Sequence, residues 1–389
     1  MTKTILVTNV TYDAGLSIAQ ELTQIGYRVI GADTRRLPFG LHSRYIHTVH
    51  RLPAADNPAF ETSFVDLVEK VRPDAILPLG TYGVMAVCRQ ESTFRSLSGF
   101  NVPSLDAFMA AFDHAVCGTE CARLNIPRPA IYSLDEADRL LANGKGTLTL
   151  VVKPRTDVGS ALGVNYVRDI ETLRNSVSVC TAQYGGTIIQ EYIPGEASAM
   201  RTVVVLFDKG NELIAAFTTH KHRQWPTTGG VTAVSVSTAE FHLVEQILPF
   251  FRKWRWRGAA EVELKCDSRD GRYKVIEINP RFPAYLRFPN ICGLPLVRLA
   301  ATLALGEKNT TPLKFPSYTV GKKYLNPGLF LRTIWEDLRQ ASDKTGALRR
   351  AVVDLDGAGS AIAGMISDSL PLLGRFLLDV GQLVRPRPQ

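Results

Sequence analysis

Two acids and an amide stand close together around the segment Lys274–Tyr285, KVIEINPRFPAY. Glu277 and Asn279 are two residues apart, so on a strand they share one face, while Ile276 and Ile278 turn the other way into a core. Pro280 ends such a strand because it cannot donate to a ladder, and Arg281 follows as a fixed cation. The preceding Glu261–Cys266, EVELKC, alternates in the same sense, with Glu261, Glu263 and Lys265 on one face and Val262, Leu264 and Cys266 on the other. Between them Asp267–Gly271, DSRDG, has the chemistry of a hairpin turn. A hairpin centred near Asp270 sets Glu263 opposite Glu277 and Glu261 opposite Asn279; a slip of one residue would bury the acids. Adjacent carboxylates repel unless a cation sits between them. Glu263, Glu277 and Asn279 are hard oxygen donors, which suits Mg²⁺ held jointly with phosphates, with Mn²⁺ as the alternative ion. The same spacing also describes the solvated face of an ordinary edge hairpin.

A second constellation lies upstream. Leu148–Pro154, LTLVVKP, reads as a strand ending in Lys153, and Arg155–Gly163 follows as a loop with Gly159 and Gly163. A strand-end lysine is a point charge for a triphosphate, and backbone N–H groups approach phosphate closely where side chains are absent. The pattern is not a Walker A loop, since G-x-x-x-x-G-K-[ST] is missing. Taken alone, it is also an ordinary turn. A third group is His220–Gly230, HKHRQWPTTGG, which reads as a polar loop too basic to be idle. Lys221 and Arg223 are its candidates for an anionic substrate, with Gly229 and Gly230 allowing close backbone approach. His220 and His222 have no third metal ligand at suitable spacing, so a zinc site is the weaker reading.

The elements that must position these groups follow from periodicity. Thr4–Thr8 is a short apolar strand, Ala14–Ile25 carries apolar residues at helical spacing, and Tyr27–Asp33 is the next strand. A helix through Phe64, Val68 and Val71 and a strand at Asp74–Leu79 continue the alternation, which implies a parallel sheet covered on both faces. The first turn, NVTYDAG, lacks G-x-G-x-x-G, so Asp33 does not make this a dinucleotide site. A helical run ends near Asn125 at the connector IPRP. Strands at Arg201–Phe207, Leu213–Thr219 and Val231–Ser237, then a helix at Phe241–Trp254, lead into the acidic hairpin, and a closing helix is expected over Gly293–Gly306.

Composition bounds the rest. The chain has 389 residues, 45% apolar and 21% charged, enough for a large core in two or three domains. MTKTILVTNV is too short an apolar run for a secretory leader and reads better as a strand. No run of about 18 apolar residues would span a membrane. The six cysteines, at 88, 117, 121, 180, 266 and 292, form no CxxC pair, which points to reduced thiols and a cytoplasmic setting. A net charge of +8 with dispersed basic residues favours small anionic substrates over nucleic acid.

E-x-E followed by I-E-I-N-P-R resembles the metal end of the ATP-grasp superfamily, and the other parts follow in order over roughly residues 1–310. These are Asp113-His114 with CARLNIPRP, V-K-P with its G-S-x-G loop, TIIQEYIPGEA and the G-x-x-L-P-type helix. The resemblance implies an α/β architecture with a Rossmann-like pre-ATP-grasp domain over 1–105. It further implies an ATP-grasp domain over 106–312, divided into a nucleotide-covering lobe (146–193) and a metal lobe (194–312). The remainder, 313–389, reads as a helical appendage. By the same resemblance Lys153, Gly159, Ser160 and Gly163 meet the ATP phosphates. Gln190, Glu191 and Ile193 lie at adenine, Glu196 lies near ribose, and Glu263, Glu277 and Asn279 hold the metal. Arg281, with Lys153 and Arg223, would stabilise developing charge. His114 stands where a phosphate-contacting lysine is expected. Either it donates a hydrogen bond to phosphate, or ATP is held more weakly, or it is simply a helix-surface histidine. The segment after N-P-R, Phe282–Phe288, also departs from the family's glycine-bearing pattern.

The implied reaction is ADP-forming ligation of a small carboxylate to an amine, or a thiol, through an acyl phosphate. Two other readings remain: a bicarbonate-using enzyme like biotin carboxylase or carbamoyl-phosphate synthetase, and a non-catalytic ATP-binding module that docks a partner. Segment 313–389 carries Trp335 and an apolar run around Ile362–Leu378, and suits helical packing, a homodimer or other protein contact, or a weak interfacial membrane contact. The terminal RPRPQ is expected to fray.

Overall fold

The computed structural model describes residues 2–11, 13–35, 42–144, 146–159, 161–226, 230–307, 311–341, 343–355, 358 and 368. Its first layer alternates β1 (Thr4–Thr8), α1 (Asp13–Gln24), β2 (Arg28–Asp33), β3 (Thr48–Arg51), α2 (Phe60–Val71), β4 (Ala75–Leu77), α3 (Thr81–Arg89) and α4 (Glu91–Leu97). The strands form a parallel sheet in the order β3-β2-β1-β4. Period-two alternation in β1 explains the two covered faces: Ile5 and Val7 pack with Ile18, Ala19 and Leu22 of α1, while Leu6 packs with Phe64 and Val68 of α2. Asp33 is buried, and its carboxylate accepts from the Thr11 N–H at 2.8 Å and the Arg35 N–H at 2.9 Å. It therefore closes the first turn.

The predicted helical run before the connector is two helices, α5 (Leu105–Phe112) and α6 (His114–Arg123). Asp113 divides them. Its extended backbone interrupts the helix, and its side chain caps α6 by accepting from the N–H groups of Ala115 and Val116. Next come β5 (Ile131–Tyr132), α7 (Leu134–Gly144), β6 (Leu150–Pro154), β7 (Asn165–Val167), α8 (Ile170–Tyr184) and β8 (Thr187–Glu191). They build a small antiparallel sheet, β5-β8-β6-β7, packed beneath α7 and α8 through Leu141, Leu173 and Cys180.

The large sheet, β13-β12-β9-β10-β11-β14, is antiparallel throughout. It is made from β9 (Met200–Phe207), β10 (Leu213–Trp225), β11 (Val231–Thr238), β12 (Gly258–Cys266), β13 (Tyr273–Asn279) and β14 (Lys323–Leu325). On one face α9 (Phe241–Lys253) sets Leu243, Val244, Ile247, Phe250 and Phe251 against Val203, Val205 and Val262. On the other, Val204, Leu206 and Phe217 join the core of the first layer through α10 (Arg287–Ile291) and α11 (Leu296–Ala304). Finally α12 (Pro327–Gln340) and α13 (Lys344–Leu355) cover β14 and β11 with Phe330 and Ala351. Apart from Asp368, the apolar run around Ile362–Leu378 and the terminal RPRPQ lie outside the described residues, and among those described no helix is long and apolar enough to cross a membrane.

Two local expectations need correction. The expected loop at His220–Gly230 is strand as far as Trp225, because Lys221 and Trp225 pair with Ser235 and Val231 of β11. Bulges on either side of Arg223 disturb the alternation, so polar residues occupy a ladder without all facing water. In β13 a register shift between Glu263 and Leu264 of the partner strand does the same. Val275 takes the core position, while Ile276 turns to the cleft instead of the core.

Candidate active site

A cavity of about 1490 Å³ lies between the small sheet, the large sheet and the first layer. At its floor the acidic hairpin has the register its alternation predicts: Glu263 pairs with Glu277, and Glu261 with Asn279. Cations separate the acids. Lys221 donates to Glu263 at 3.1 Å, and Arg281 donates to Glu261 at 3.0 Å. Burial, then the charges of Glu263 and Asp157, push Glu277 up to about 7, against the opposing pull of Lys153. Burial likewise raises Glu261 above its ordinary value. The Asn279 amide donates to Glu277 at 3.1 Å, and its oxygen accepts from Arg281 at 3.2 Å.

This donor set fits a hard divalent cation. Two neighbouring carboxylates that repel one another gain most from a cation, and two acids with one amide leave positions for phosphate oxygens. Among the described residues no cluster of three or more acidic, histidine or cysteine ligands forms a complete protein cage.

Lys153 is buried at the roof of the same space, with its ammonium donating to the Ile276 carbonyl at 3.3 Å. Burial lowers its pKa, and the charge of Glu277 offsets part of that. His114 is also buried, so it is not a helix-surface residue. Its Nδ1 lies 3.1 Å from the Pro154 carbonyl, and Nε2 lies 3.9 Å from Glu277. Burial and then Lys153 drive its pKa down to about 3, so the imidazole is neutral. A neutral ring that donates from Nδ1 to a carbonyl has an acceptor at Nε2. That tautomer offers phosphate neither a charge nor a donor, which favours the reading in which the site has one cation fewer.

The remaining phosphate and nucleotide candidates divide. Gly159 lines the cavity, and its N–H donates to Asp157 at 2.7 Å. Gly163 sits behind it with φ of 73°, where a β-carbon would run into Tyr184 and Pro154. Ser160 lies outside the described residues. Gln190, Glu191, Ile193 and Glu196 all line the cavity at the end of β8 and beyond. The Glu191 carboxylate is bound to Arg269 and lies 3.6 Å from Lys274, so its side chain ties the small sheet to the turn of the acidic hairpin. In that turn the buried Asp267 is held well below the usual carboxylate range, chiefly by Arg269.

The substrate candidates also divide. Lys221 is 1% exposed and bridges Glu263 and the Gly230 carbonyl, at 3.1 and 3.2 Å. Gly230 packs so tightly on the Trp225 carbonyl that a β-carbon has no room. Gly229 lies outside the described residues. Arg223 does not face the cavity: it is bound to Asp337 of α12 and Asp354 of α13. It is corrected from a substrate and catalytic candidate to an anchor of the C-terminal helices. Several lining groups escaped the sequence reading, among them Asp157, Lys265 and Arg332. Lys265 was legible in the hairpin alternation, whereas nothing local in the sequence brings Asp157 or Arg332 to the site.

Residues 150–311 match the family model described as carbamoyl-phosphate synthase L chain, ATP binding domain. A D-aspartate ligase of Enterococcus faecium (strain Aus0004) is 26% identical over 159 residues, which cover 40% of this chain and 38% of that protein. The chain thus matches under two fifths of that relative's length. Among solved structures, the biotin carboxylase domain of Hydrogenobacter thermophilus 2-oxoglutarate carboxylase, crystallised with MgADP, ADP and bicarbonate, superposes with a TM-score of 0.67 at 15% identity, over 83% of this chain and 73% of that one. An L-amino acid ligase from Bacillus licheniformis gives 0.62 at 16% identity, over 83% and 78%. Identities this low speak for the fold alone, and together with the domain match over residues 150–311 they fit an ATP-grasp architecture.

Proposed function

We propose that the protein is an ADP-forming ligase that joins a small carboxylate to an amine through an acyl phosphate. The observation that carries this is the convergence of the Glu263–Glu277 pair, buried Lys153 and Arg281 on one cavity. The D-aspartate ligase and L-amino acid ligase relatives support the reaction class. ATP would enter with adenine beneath Glu191 and Ile193, ribose near Glu196, and phosphates under Lys153 and the Gly159 loop. Glu263, Glu277 and Asn279 would hold Mg²⁺, which when bound offsets β- and γ-phosphate charge. A substrate carboxylate oxygen attacks the γ-phosphorus and ADP leaves. The amine nitrogen then attacks the acyl carbon, loses a proton, and inorganic phosphate leaves. Arg281 stands beside the acids to stabilise the charge that develops on oxygen. The chain's own part is positioning and electrostatics. No cysteine nucleophile is required, and burial pushes the Cys88 thiol up to about 12.

The likeness to biotin carboxylases supports a second reading, in which bicarbonate is the acid that is phosphorylated. One assay separates them: ADP release from MgATP with pooled amino acids and small carboxylates, with and without bicarbonate, beside Glu277→Ala. Pool-dependent turnover that disappears in the variant supports the ligase. Turnover that needs bicarbonate alone supports the carboxylase. ATP binding without turnover in every mixture refutes both and leaves a binding module. A cytoplasmic site of action and a homodimer are part of the same proposal.

A further inference from the structure

The turn of the acidic hairpin carries ion pairs that the proposed chemistry does not use, and they converge on the end of β8. The Asp267 carboxylate is fully buried and accepts from Arg269 Nε at 2.8 Å and from its Nη2 at 2.6 Å, while the Lys274 ammonium lies 2.6 Å from it. A two-point grip of this kind fixes the plane of the guanidinium. The same Nη2 donates to the Glu191 carboxylate, which Lys274 approaches to 3.6 Å. The other Glu191 oxygen accepts from the Ala130 N–H at 3.1 Å, and the Glu191 N–H donates to the Ala130 carbonyl at 2.8 Å. The connector that bears Ala130 returns to the hairpin, where the Val275 N–H donates to the Pro127 carbonyl at 2.8 Å. A closed ring of contacts thus runs from the hairpin turn through Glu191 and residues 127–130 back to β13. One residue past Glu191, the Tyr192 ring has the Lys265 ammonium 5.4 Å from its centroid. β8 ends at Glu191, so Tyr192 and Ile193 line the cavity beyond the ladder. Both Glu191 oxygens are committed, which leaves the main chain there, rather than the carboxylate, to meet a base.

We infer that Arg269 is a positioning residue for the nucleobase: acting through Glu191, it fixes the main-chain edge at residues 191–193 that tells an amino-purine from an oxo-purine. Such an edge discriminates only while its donors and acceptors stay where the base needs them, because a mismatched base then leaves polar groups unpaired. Arg269 is half exposed and is not among the residues that line the cavity, so it acts without touching the nucleotide. Lys274 and Glu277 are three positions apart on β13, about 10 Å. One hairpin therefore holds the base end of the nucleotide by its turn and the proposed metal end by its strands. This rests on the proposed ATP-dependent reading and adds to it a residue that sets nucleotide choice.

The test is calorimetric titration of the full chain with MgADP, with the magnesium complex of inosine diphosphate, and with magnesium tripolyphosphate, which has no base. The wild-type protein is expected to bind MgADP about tenfold or more tighter than the inosine nucleotide. Arg269→Met should remove most of that preference by weakening MgADP about tenfold, while tripolyphosphate binding stays within about twofold. Arg269→Lys should recover part of the preference. Glu191→Gln, which keeps the side-chain shape and loses the ion pair, should act like Arg269→Met, and the double variant should lose no more than either alone. The inference is overturned if the wild-type protein binds both nucleotides equally, if Arg269→Met keeps the preference for ADP, or if the two single losses multiply in the double variant. It is also overturned if Arg269→Met weakens all three ligands alike, which would make Arg269 only a support for the hairpin. Failure of the wild-type protein to bind MgADP is a different result, and it refutes the ATP-dependent reading on which this inference stands.

Discussion

At the scale of single residues, the floor of the cavity is a charge balance. Glu261 answers Arg281 and Glu263 answers Lys221, while Glu277 has Lys153 as its opposing charge. Removing Glu277 would delete a proposed metal donor and leave buried Lys153 less well matched. Glu277→Ala is expected to lower kcat/KM for MgATP by a factor on the order of a thousand, in line with a loss of about 4 kcal/mol of transition-state stabilisation. A steady-state assay of ADP release reads this, and a loss under tenfold would remove Glu277 from the metal site. His114 makes a second residue-scale prediction. His114→Lys would place an ammonium beside buried Lys153, which repels it in the empty protein and is relieved by a triphosphate. The melting temperature without nucleotide should fall, and the increase caused by MgATP should grow. The opposite pattern would mean that position 114 does not face phosphate.

At the scale of elements, β10 does two jobs through its bulges. Lys221 points to Glu263, and His222 and Arg223 hold Asp354 of α13. Burial alone would raise the Asp354 pKa, but hydrogen bonds from His222 and Arg223 outweigh it and hold the pKa below the ordinary value. A depressed carboxylate contributes stability that is present above its unfolded pKa, about 3.9, and is lost as pH falls through the lower folded value. Docking of α12 and α13 should therefore weaken on acidification below about pH 4. Asp354→Ala should cost about 2 kcal/mol at neutral pH, the order of a charge-assisted hydrogen bond, because it leaves Arg223 with Asp337 alone. Urea melts at pH 7 and pH 3.5 measure both effects. An Asp354→Ala protein as stable as wild type at pH 7 would show that the pair adds nothing.

At the scale of the whole molecule, one sheet and one core cross the expected domain boundaries. β14 is hydrogen-bonded to β11, the Tyr318 hydroxyl is 3.0 Å from the Thr218 N–H, and Tyr318 and Tyr324 pack in the core shared by β1, β9 and α11. Shortening the chain after residue 312 would expose that edge and remove these aromatic groups together with Leu325 and Phe330, all buried. Each such side chain contributes about 1.5–3 kcal/mol, and their sum is comparable to the 5–15 kcal/mol by which a typical domain is stable. The shortened protein is expected to lose its cooperative thermal transition in circular dichroism. A sharp transition within a few degrees of the full chain would mean that the helices are a separable unit.

Wherever periodicity and turn chemistry act locally, the structure follows the sequence. β1 spans Thr4–Thr8 as read, and Glu263 pairs with Glu277 as the side-chain alternation predicts, although the register set at the Asp267–Gly271 turn reaches that pairing only through the shift past Ile276. The order of motifs likewise brought Lys153, Gln190 and Arg281 to one cavity. Other features depend on partners distant in the chain. The bulges in β10 and β13 depend on strands β11 and β12, so the sequence alone did not show that Ile276 would leave the core or that Arg223 would leave the cavity. His114 became neutral through burial against Pro154 and Lys153, elements some forty residues away. Arg332 lies 107 positions beyond Trp225, and only the packing of α12 on the large sheet makes the two neighbours. Short-range spacing thus determined which groups share a strand face, and tertiary contact decided which of them meet the cavity and in what charge state.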